Sequence, residues 1–427
     1  MKQLCLQGGA RLDGTVRIHG AKNSVLPILA ACCLCSSPCV LHNCPDIADV
    51  ETALEILEGL GCRTKREGST LCIDPAGLCR SCVPKRLASR MRSSIVFLGA
   101  LLARFSQAEL ALPGGCPLGD RPIDLHVRSL SQLGVRFCFL HDALQAAWPA
   151  RRGGEITLPF PSVGATENVL LACAAGEHTV RLCGAAREPE IIDLIGFLRA
   201  AGAEIDGAGG PDLEIRGVRQ LHGATYTILP DRIETATYLC AAAGCGGDIE
   251  LQRTDGRLLL TVIDTLRQAG CAVETKPGTI RLQSRGRLRA PEPVVTAPYP
   301  GFPTDAQALV MASLLRAQGE SVFHEAVFEK RFLHVPELRK LGADLAVEGR
   351  TARVRGTERL HGAALRAGDL RGAAALVIAA LAAEGDSTLA GLDHLRRGYD
   401  QLEQNLKNLG AGIKSVDIPA PFVYNNE

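Results

Sequence analysis

The sequence predicts an α/β protein assembled from six copies of one supersecondary unit. The first observation is a recurring segment, seen as LEGLGCRTK, LSQLGVRF, LRAAGAEI, LRQAGCAVE, LRKLGADLAVE and LKNLGAGIK. The second is its spacing. The glycines of the six copies are Gly61, Gly134, Gly202, Gly270, Gly342 and Gly410, at intervals of 73, 68, 68, 72 and 68 residues. The third is its local chemistry. Leucines three apart mark one face of a helix. The glycine that follows supplies the left-handed position that ends a helix without a Cβ penalty. The alternation after it, as in 343–347, starts a strand. A period of about 70 residues is too long for a solenoid repeat and fits a unit of two helices and several strands.

Between the glycine-ended helices lies a second set of helical stretches, at 25–34, 91–104 and 369–384. They are rich in Ala and Leu, so they should be buried on most sides. Asp49 reads as the N-cap of the helix that ends at Gly61. Residues 112–122 hold three glycines and three prolines. Such a run is neither helix nor central strand, and a long loop of this kind is often functional. The tail from Pro419 to Glu427 has no partner pattern and is expected to be loose.

Composition narrows the function. The 427 residues suggest two or three domains. Hydrophobic residues make up 46% and charged residues 22%, enough for a large core. The formal net charge of +1 lacks the basic excess of a nucleic-acid binder or a protein held on anionic lipid. Aromatic residues at 4% argue against a base-stacking platform. No signal peptide or membrane-length apolar run is present, so a cytoplasmic location is expected. The 17 cysteines then read as thiols, most of them small core residues. Cys79 and Cys82 form a single CxxC without a second pair or spaced histidines, so no metal site is expected.

Four places carry possible chemistry. Lys22, in GAKNS, opens an apolar helix. A cation there opposes the helix dipole and suits an anion site, although a solvated surface lysine has the same sequence. Cys116 is a thiol in a Gly/Pro loop beside Arg121, the setting in which a cysteine becomes reactive. Asp305, in FPTD, is placed either as a general base or as the cap of the helix after it, and spacing alone favours the cap. Arg331, Arg371 and Arg397 lie near turns, and arginine is the usual partner of phosphate and carboxylate. Taken alone, these residues imply an anionic small substrate and leave the reaction open.

The same residues carry a resemblance. GAKNS, MRSSI, LPGGCPLGDRPIDLH, SVGAT, AREPEI, LPDRIET, FPTD, VFEKRFLHVPEL, DLR and RRGYD together make the chain similar to the UDP-N-acetylglucosamine 1-carboxyvinyltransferase family along essentially its whole length. The resemblance implies a two-domain inside-out α/β barrel of six βαβαββ units. One domain would be 22–229 and the other 1–21 plus 230–427, with the active site between them. It implies transfer of enolpyruvate from phosphoenolpyruvate to the 3′-hydroxyl of UDP-N-acetylglucosamine, with release of phosphate and no cofactor. Lys22 and Asn23 would bind phosphoenolpyruvate, Cys116 would protonate its methylene carbon, and Arg121 would face its phosphate and the sugar nucleotide. Arg92, Pro122, Ile123, Asp124, Leu125, Ser162, Val163 and Val327 would line the UDP-sugar site. Asp305 would take the sugar proton. Arg331 and Arg397 would meet the carboxylate, with Asp369 and Arg371 as a supporting pair. The epoxide fosfomycin would alkylate Cys116.

One position departs from the family. Many members place a lysine shortly before SVGAT, where this chain has Phe160. A phenyl ring cannot pair with phosphate, so stacking on the uracil or a substitute cation is expected there. Two rivals share parts of the pattern: a shikimate-pathway enolpyruvyl transferase, and a silent paralogue that only binds the UDP-sugar. The Cys116 loop and SVGAT favour the UDP-sugar enzyme over the first. Retention of Lys22, Cys116, Asp305 and Arg397 favours a catalyst over the second.

Overall fold

The computed structural model describes residues 2–111, 123–140, 143–285 and 287–417. The six repeated segments form as their chemistry requires. The helices Ala48–Leu60, Asp124–Ser131, Pro189–Ala200, Leu260–Gln268, Val335–Lys340 and Leu402–Asn408 each run up to one of the six glycines. Those glycines all have positive φ, between 85° and 110°. A strand follows each one: Arg63–Glu67, Arg136–Leu140, Glu204–Asp206, Ala272–Lys276, Asp344–Glu348 and Ile413–Asp417.

Among the described residues the strands make six four-stranded sheets. All six have the same pairing, one parallel pair followed by two antiparallel ones. In one sheet, Thr225–Thr227 runs parallel to Cys39–His42, which is antiparallel to Thr70–Asp74, which is antiparallel to Arg63–Glu67. In another, Ala364–Arg366 runs parallel to Asp386–Ala390, and Lys2–Gln7 and Ile413–Asp417 complete it. The first residues of the chain therefore finish a sheet whose other strands come from its end. Most strands alternate buried and exposed residues, so one sheet face meets the helices and the other meets solvent.

The second set of helices fills the interior. Lys22–Ala31, Phe97–Phe105 and Val163–Cys173 pack on one another, as do Arg232–Cys245, Thr304–Ser313 and Leu370–Ala382. They are buried at nearly every position, which explains why they are Ala- and Leu-rich all round instead of amphipathic. The thiols of Cys32, Cys33 and Cys35 lie in this interior. Two separate cores result, one from Val25 to Ile228, the other from Leu4 to Ile18 and Ile233 to Ile413. The chain passes between them twice, side by side: Gly20 bridges Pro230, and Ala21 N–H donates to the Leu229 carbonyl at 2.7 Å. No helix among the described residues is long and apolar enough to cross a membrane.

The helix-ending glycines differ in what surrounds them. A Cβ on Gly61 would stand 2.2 Å from the Gly77 carbonyl oxygen, whereas one on Gly270 would meet nothing within 4 Å. Gly270→Ala should therefore cost only the left-handed penalty, ~1–2 kcal/mol. Gly61→Ala should cost clearly more, because backbone must move. Urea unfolding of both variants checks this, and equal losses would mean that the Gly61–Gly77 approach relaxes freely.

Candidate active site

The buried helices carry the polar residues at their starts. Lys22 is the first residue of Lys22–Ala31, and Arg92 opens the turn leading into Phe97–Phe105. Ser162 caps Val163–Cys173 with its hydroxyl, accepting from Ala165 N–H at 3.4 Å. Asp369 caps Leu370–Ala382, accepting from Arg371 and Gly372 N–H at 3.0 Å each. Asp231 serves two helices at once. Its Oδ1 accepts from Ile233 and Glu234 N–H at 2.7 and 3.0 Å, and its Oδ2 from Lys22 N–H at 3.2 Å. Helix N-termini carry partial positive charge, so such a gathering favours anions before any side-chain cation is counted.

Those cations converge in one charged cluster. Lys22 Nζ lies 2.7 Å from Asp49 Oδ2, and Arg397 Nε lies 2.9 Å from Asp49 Oδ1. Asp49 belongs to the segment of the first core and Arg397 to that of the second, so this carboxylate ties the two together. Burial pushes the Lys22 pKa down; Asp49 pulls it partly back, while Arg397 and Arg371 push it lower. Burial alone would raise the Asp49 carboxyl, but Lys22 and Arg397 outweigh it and hold it below the ordinary carboxylate value. Beside this triad, Asp305 sits between two buried guanidiniums: Arg331 Nη2 at 2.5 Å and Arg371 Nη2 at 3.0 Å. Tyr399 lies under Arg371, ring centroid 5.6 Å from the guanidinium carbon.

Two expectations are corrected here. Spacing reads both Asp49 and Asp305 as helix caps, and neither caps. The cap positions fall two residues earlier, at Ile47 and Pro303, with no side-chain cap bond, and the helices start at Ala48 and Thr304. Both aspartates are the second helical residue. That two-residue shift turns the carboxylate from its own helix to the cations across from it.

A second group surrounds His126. Its Nδ1 is 2.7 Å from Asn168 Nδ2, and Asn168 also donates to the Ile95 carbonyl at 3.1 Å. A Cβ on Gly164 would come within 2.8 Å of the ring, so SVGAT and the IDLH segment touch here. Burial, then the nearby Arg92 charge, hold the His126 pKa down at about 4; Asp124 acts in the opposite direction. The structure thus brings Arg92, Asp124 and the Ser162–Val163 helix start to one neutral imidazole.

Comparison with known proteins follows from this geometry. The family model described as EPSP synthase (3-phosphoshikimate 1-carboxyvinyltransferase) matches residues 6–406. A UDP-N-acetylglucosamine 1-carboxyvinyltransferase of Gloeobacter violaceus is 46% identical over 420 residues, covering 98% of this chain and 91% of the relative. UDP-N-acetylglucosamine 1-carboxyvinyltransferase 2 of Caldanaerobacter subterraneus subsp. tengcongensis is 44% identical over 416 residues, covering 97% of this chain and all of the relative. The chain belongs to the UDP-N-acetylglucosamine enolpyruvyl transferase family. Among solved structures, the enolpyruvyl transferase NikO from Streptomyces tendae superposes with a TM-score of 0.88 at 30% identity, over 98% of this chain and 99% of NikO. EPSP synthase from Acinetobacter baumannii shares the fold, with a TM-score of 0.75 at 17% identity over 98% of this chain.

In this enolpyruvyl transferase, Cys116, Arg121 and Pro122 lie outside the described residues. Asn23 is half-buried beside Lys22. Ile123, Leu125 and Val163 are partly buried against the first core. Phe160 is exposed, and its carbonyl accepts from Ser162 N–H at 2.7 Å. Val327 is held by Glu325, a buried residue that sequence reasoning passed over. The Glu325 carboxylate accepts from Thr296 Oγ1, Thr304 Oγ1, Val327 N–H and Phe328 N–H, all at 2.9 Å. A signal was present: Ser321 and Phe323 share the inward phase of the strand Glu320–His324, and Glu325, the residue after its end, continues that phase, where a carboxylate needs a reason. Also passed over was Arg232, which binds Glu190 at 2.9 and 3.2 Å and so joins LPDRIET to AREPEI across the two cores.

Proposed function

We propose that this enolpyruvyl transferase moves enolpyruvate from phosphoenolpyruvate to the 3′-hydroxyl of UDP-N-acetylglucosamine and releases phosphate, the first committed step of peptidoglycan precursor synthesis. The observation that carries the reading is the convergence of Lys22, Arg371 and Arg397 on one another beside a carboxylate, Asp305, at the starts of buried helices. Phosphoenolpyruvate presents a phosphate and a carboxylate on one small frame, which is what such a cluster suits. The acceptor is inferred from the two relatives named for that sugar nucleotide and from the SVGAT and IDLH segments meeting at His126. We also infer that the two cores are two domains, 22–229 and 1–21 plus 230–427, each an inside-out barrel of three βαβαββ units.

In this reading Lys22, Asn23, Arg331 and Arg397 bind phosphoenolpyruvate, with Asp369 and Arg371 in support and Arg121 at the phosphate. Cys116 adds a proton to the methylene carbon. The sugar oxygen attacks the adjacent carbon as Asp305 takes its proton, giving a tetrahedral phosphate adduct. Loss of a methyl proton and of phosphate then restores the double bond, now on the sugar oxygen. Each positioned proton transfer contributes roughly 10²–10⁴ in rate. Asp305 gains its position from Arg331 and Arg371. When the substrate carboxylate competes for those guanidiniums, Asp305 is released toward the incoming hydroxyl. Arg92, Pro122, Ile123, Asp124, Leu125, Ser162, Val163 and Val327 line the sugar-nucleotide side, with Phe160 offering an exposed ring for the uracil.

The test is phosphate release from phosphoenolpyruvate with UDP-N-acetylglucosamine, with shikimate 3-phosphate, and with neither. Release with the UDP-sugar alone is expected. Release only with shikimate 3-phosphate would keep the chemistry and replace the acceptor, and release with neither would remove the catalytic reading. Fosfomycin should also inactivate the enzyme by alkylating Cys116, detected as a mass increase on the peptide holding residues 112–122. Full activity after long exposure would take the reactive thiol away from Cys116.

A further inference from the structure

His19 stands where the chain first passes between the two cores. Its backbone is fixed on both sides, because His19 N–H donates to Glu234 Oε2 at 2.9 Å and its carbonyl accepts from Asp231 N–H at 2.8 Å. Its ring spans two carboxylates. Nδ1 is 2.9 Å from Glu234 Oε1, and Nε2 is 3.9 Å from Asp400 Oδ2. That same Asp400 oxygen accepts the backbone N–H of Asp46 at 2.9 Å. Asp46 lies in the first core's segment, three residues before Asp49. Asp400 lies in the second, three residues after Arg397. The two ends of one short stretch, Arg397 and Asp400, therefore grip one short stretch of the other core, Asp46 to Asp49.

We propose that His19 is a positioning residue for Arg397: its ring, pinned by Glu234, holds Asp400 against Asp46 and so keeps Arg397 seated on Asp49. The proposal rests on the reading of Arg397 as a phosphoenolpyruvate-binding residue. Geometry supplies the reason for a histidine. A neutral side chain could bond Glu234, but only a cation on this ring also attracts Asp400, with which it makes no short hydrogen bond. The charged groups facing the ring are Glu234 and Asp231, from the start of Arg232–Cys245, and Asp400, from the stretch after Arg397; the Tyr238 hydroxyl lies behind Glu234 at 3.5 Å. Burial lowers the histidine pKa, but the Glu234 bond and the charges of Glu234, Asp400 and Asp231 outweigh it, and the net shift is upward. Burial also lifts Glu234, while the His19 bond and charge pull it back. A base whose folded pKa is raised gives its full stabilisation below its ordinary value and loses it as pH rises through the raised one. The latch is therefore closed below the ordinary histidine pKa and opens as pH rises through the raised one.

Two measurements test this. In the wild-type protein, amide exchange at Asp46, corrected for intrinsic rate, should accelerate as pH passes from 6 to 9; a corrected rate that stays flat overturns the proposal. In His19→Gln, exchange at Asp46 should already be fast at pH 6. The KM for phosphoenolpyruvate should rise about three- to tenfold with kcat nearly unchanged, the scale of a coupling between contacting groups. The ratio of wild-type to variant kcat/KM should shrink toward one at high pH. Asp400→Asn, which keeps the acceptor for Asp46 but loses the charge, should fall between the two. Unchanged KM and exchange in His19→Gln, or a proportional loss of activity at every pH together with a lower Tm, would reduce His19 to packing and overturn the proposal. If the wild-type enzyme does not turn over the UDP-sugar, the exchange measurements still decide the role of His19 by themselves.

Discussion

Replacing Asp305 by asparagine is expected to slow phosphate release by roughly 10²–10⁴-fold, the usual worth of a positioned proton acceptor. Binding of UDP-N-acetylglucosamine should survive within a few-fold. Asparagine keeps one acceptor oxygen for Arg331 or Arg371 and turns a donor NH2 to the other, so the variant keeps part of this contact and the larger loss should fall on kcat. Asp305→Ala should be worse for stability as well as rate. It leaves two guanidiniums, with side chains only 3% and 4% exposed, facing each other without the carboxylate between them. Breaking a buried pair in this way costs about 3–5 kcal/mol. Calorimetric titration with the UDP-sugar and single-turnover phosphate release separate the two effects. Undiminished turnover in Asp305→Asn would leave this carboxylate a structural partner of the arginines.

The second large effect is expected at Asp49. Removing this carboxylate, as in Asp49→Leu, leaves Lys22 and Arg397 to repel each other in a buried place, again at about 3–5 kcal/mol. The pH dependence has a definite sign on both partners. The Asp49 carboxyl is held below its ordinary value, so its contribution is present above the ordinary carboxylate range and is lost as pH falls through the lowered value. The acid unfolding limb of the wild type should therefore be steeper than that of Asp49→Leu. Lys22 is already depressed by burial and by two arginines, and Asp49 is its main counterweight. Without Asp49 its pKa should fall further, and the alkaline limb of kcat/KM for phosphoenolpyruvate should move to lower pH. Denaturant melts and pH–rate profiles of the two proteins measure this. Coincident profiles would mean that Lys22 does not titrate on the path to reaction.

Both of these residues were misread from the sequence for one physical reason. A cap and the second helical position differ by two residues, and helix starts cannot be placed that finely from propensity. At the cap the carboxylate bonds its own helix. Two residues later it points to whatever the tertiary structure puts there, which for Asp49 and Asp305 is a pair of cations contributed by other segments. Arg232 was missed because its partner Glu190 lies across the two cores, and nothing local records that pairing; Glu325 was missed although its inward phase was legible, because its Thr296 and Thr304 partners lie on other segments.

The sequence by itself determined the repeat, its six glycine-ended helices, the buried Ala- and Leu-rich helices and the family. These rest on local backbone chemistry and on patterns a few residues long, which any chain segment carries with it. The tertiary structure decided which polar residues form one charged cluster. Lys22, Asp49, Asp305, Arg331, Arg371 and Arg397 are separated by up to hundreds of residues, and each alone reads as a surface charge or a cap. They act together only because packing two cores side by side removes them from water, where charges on different segments must find each other or remain unpaired.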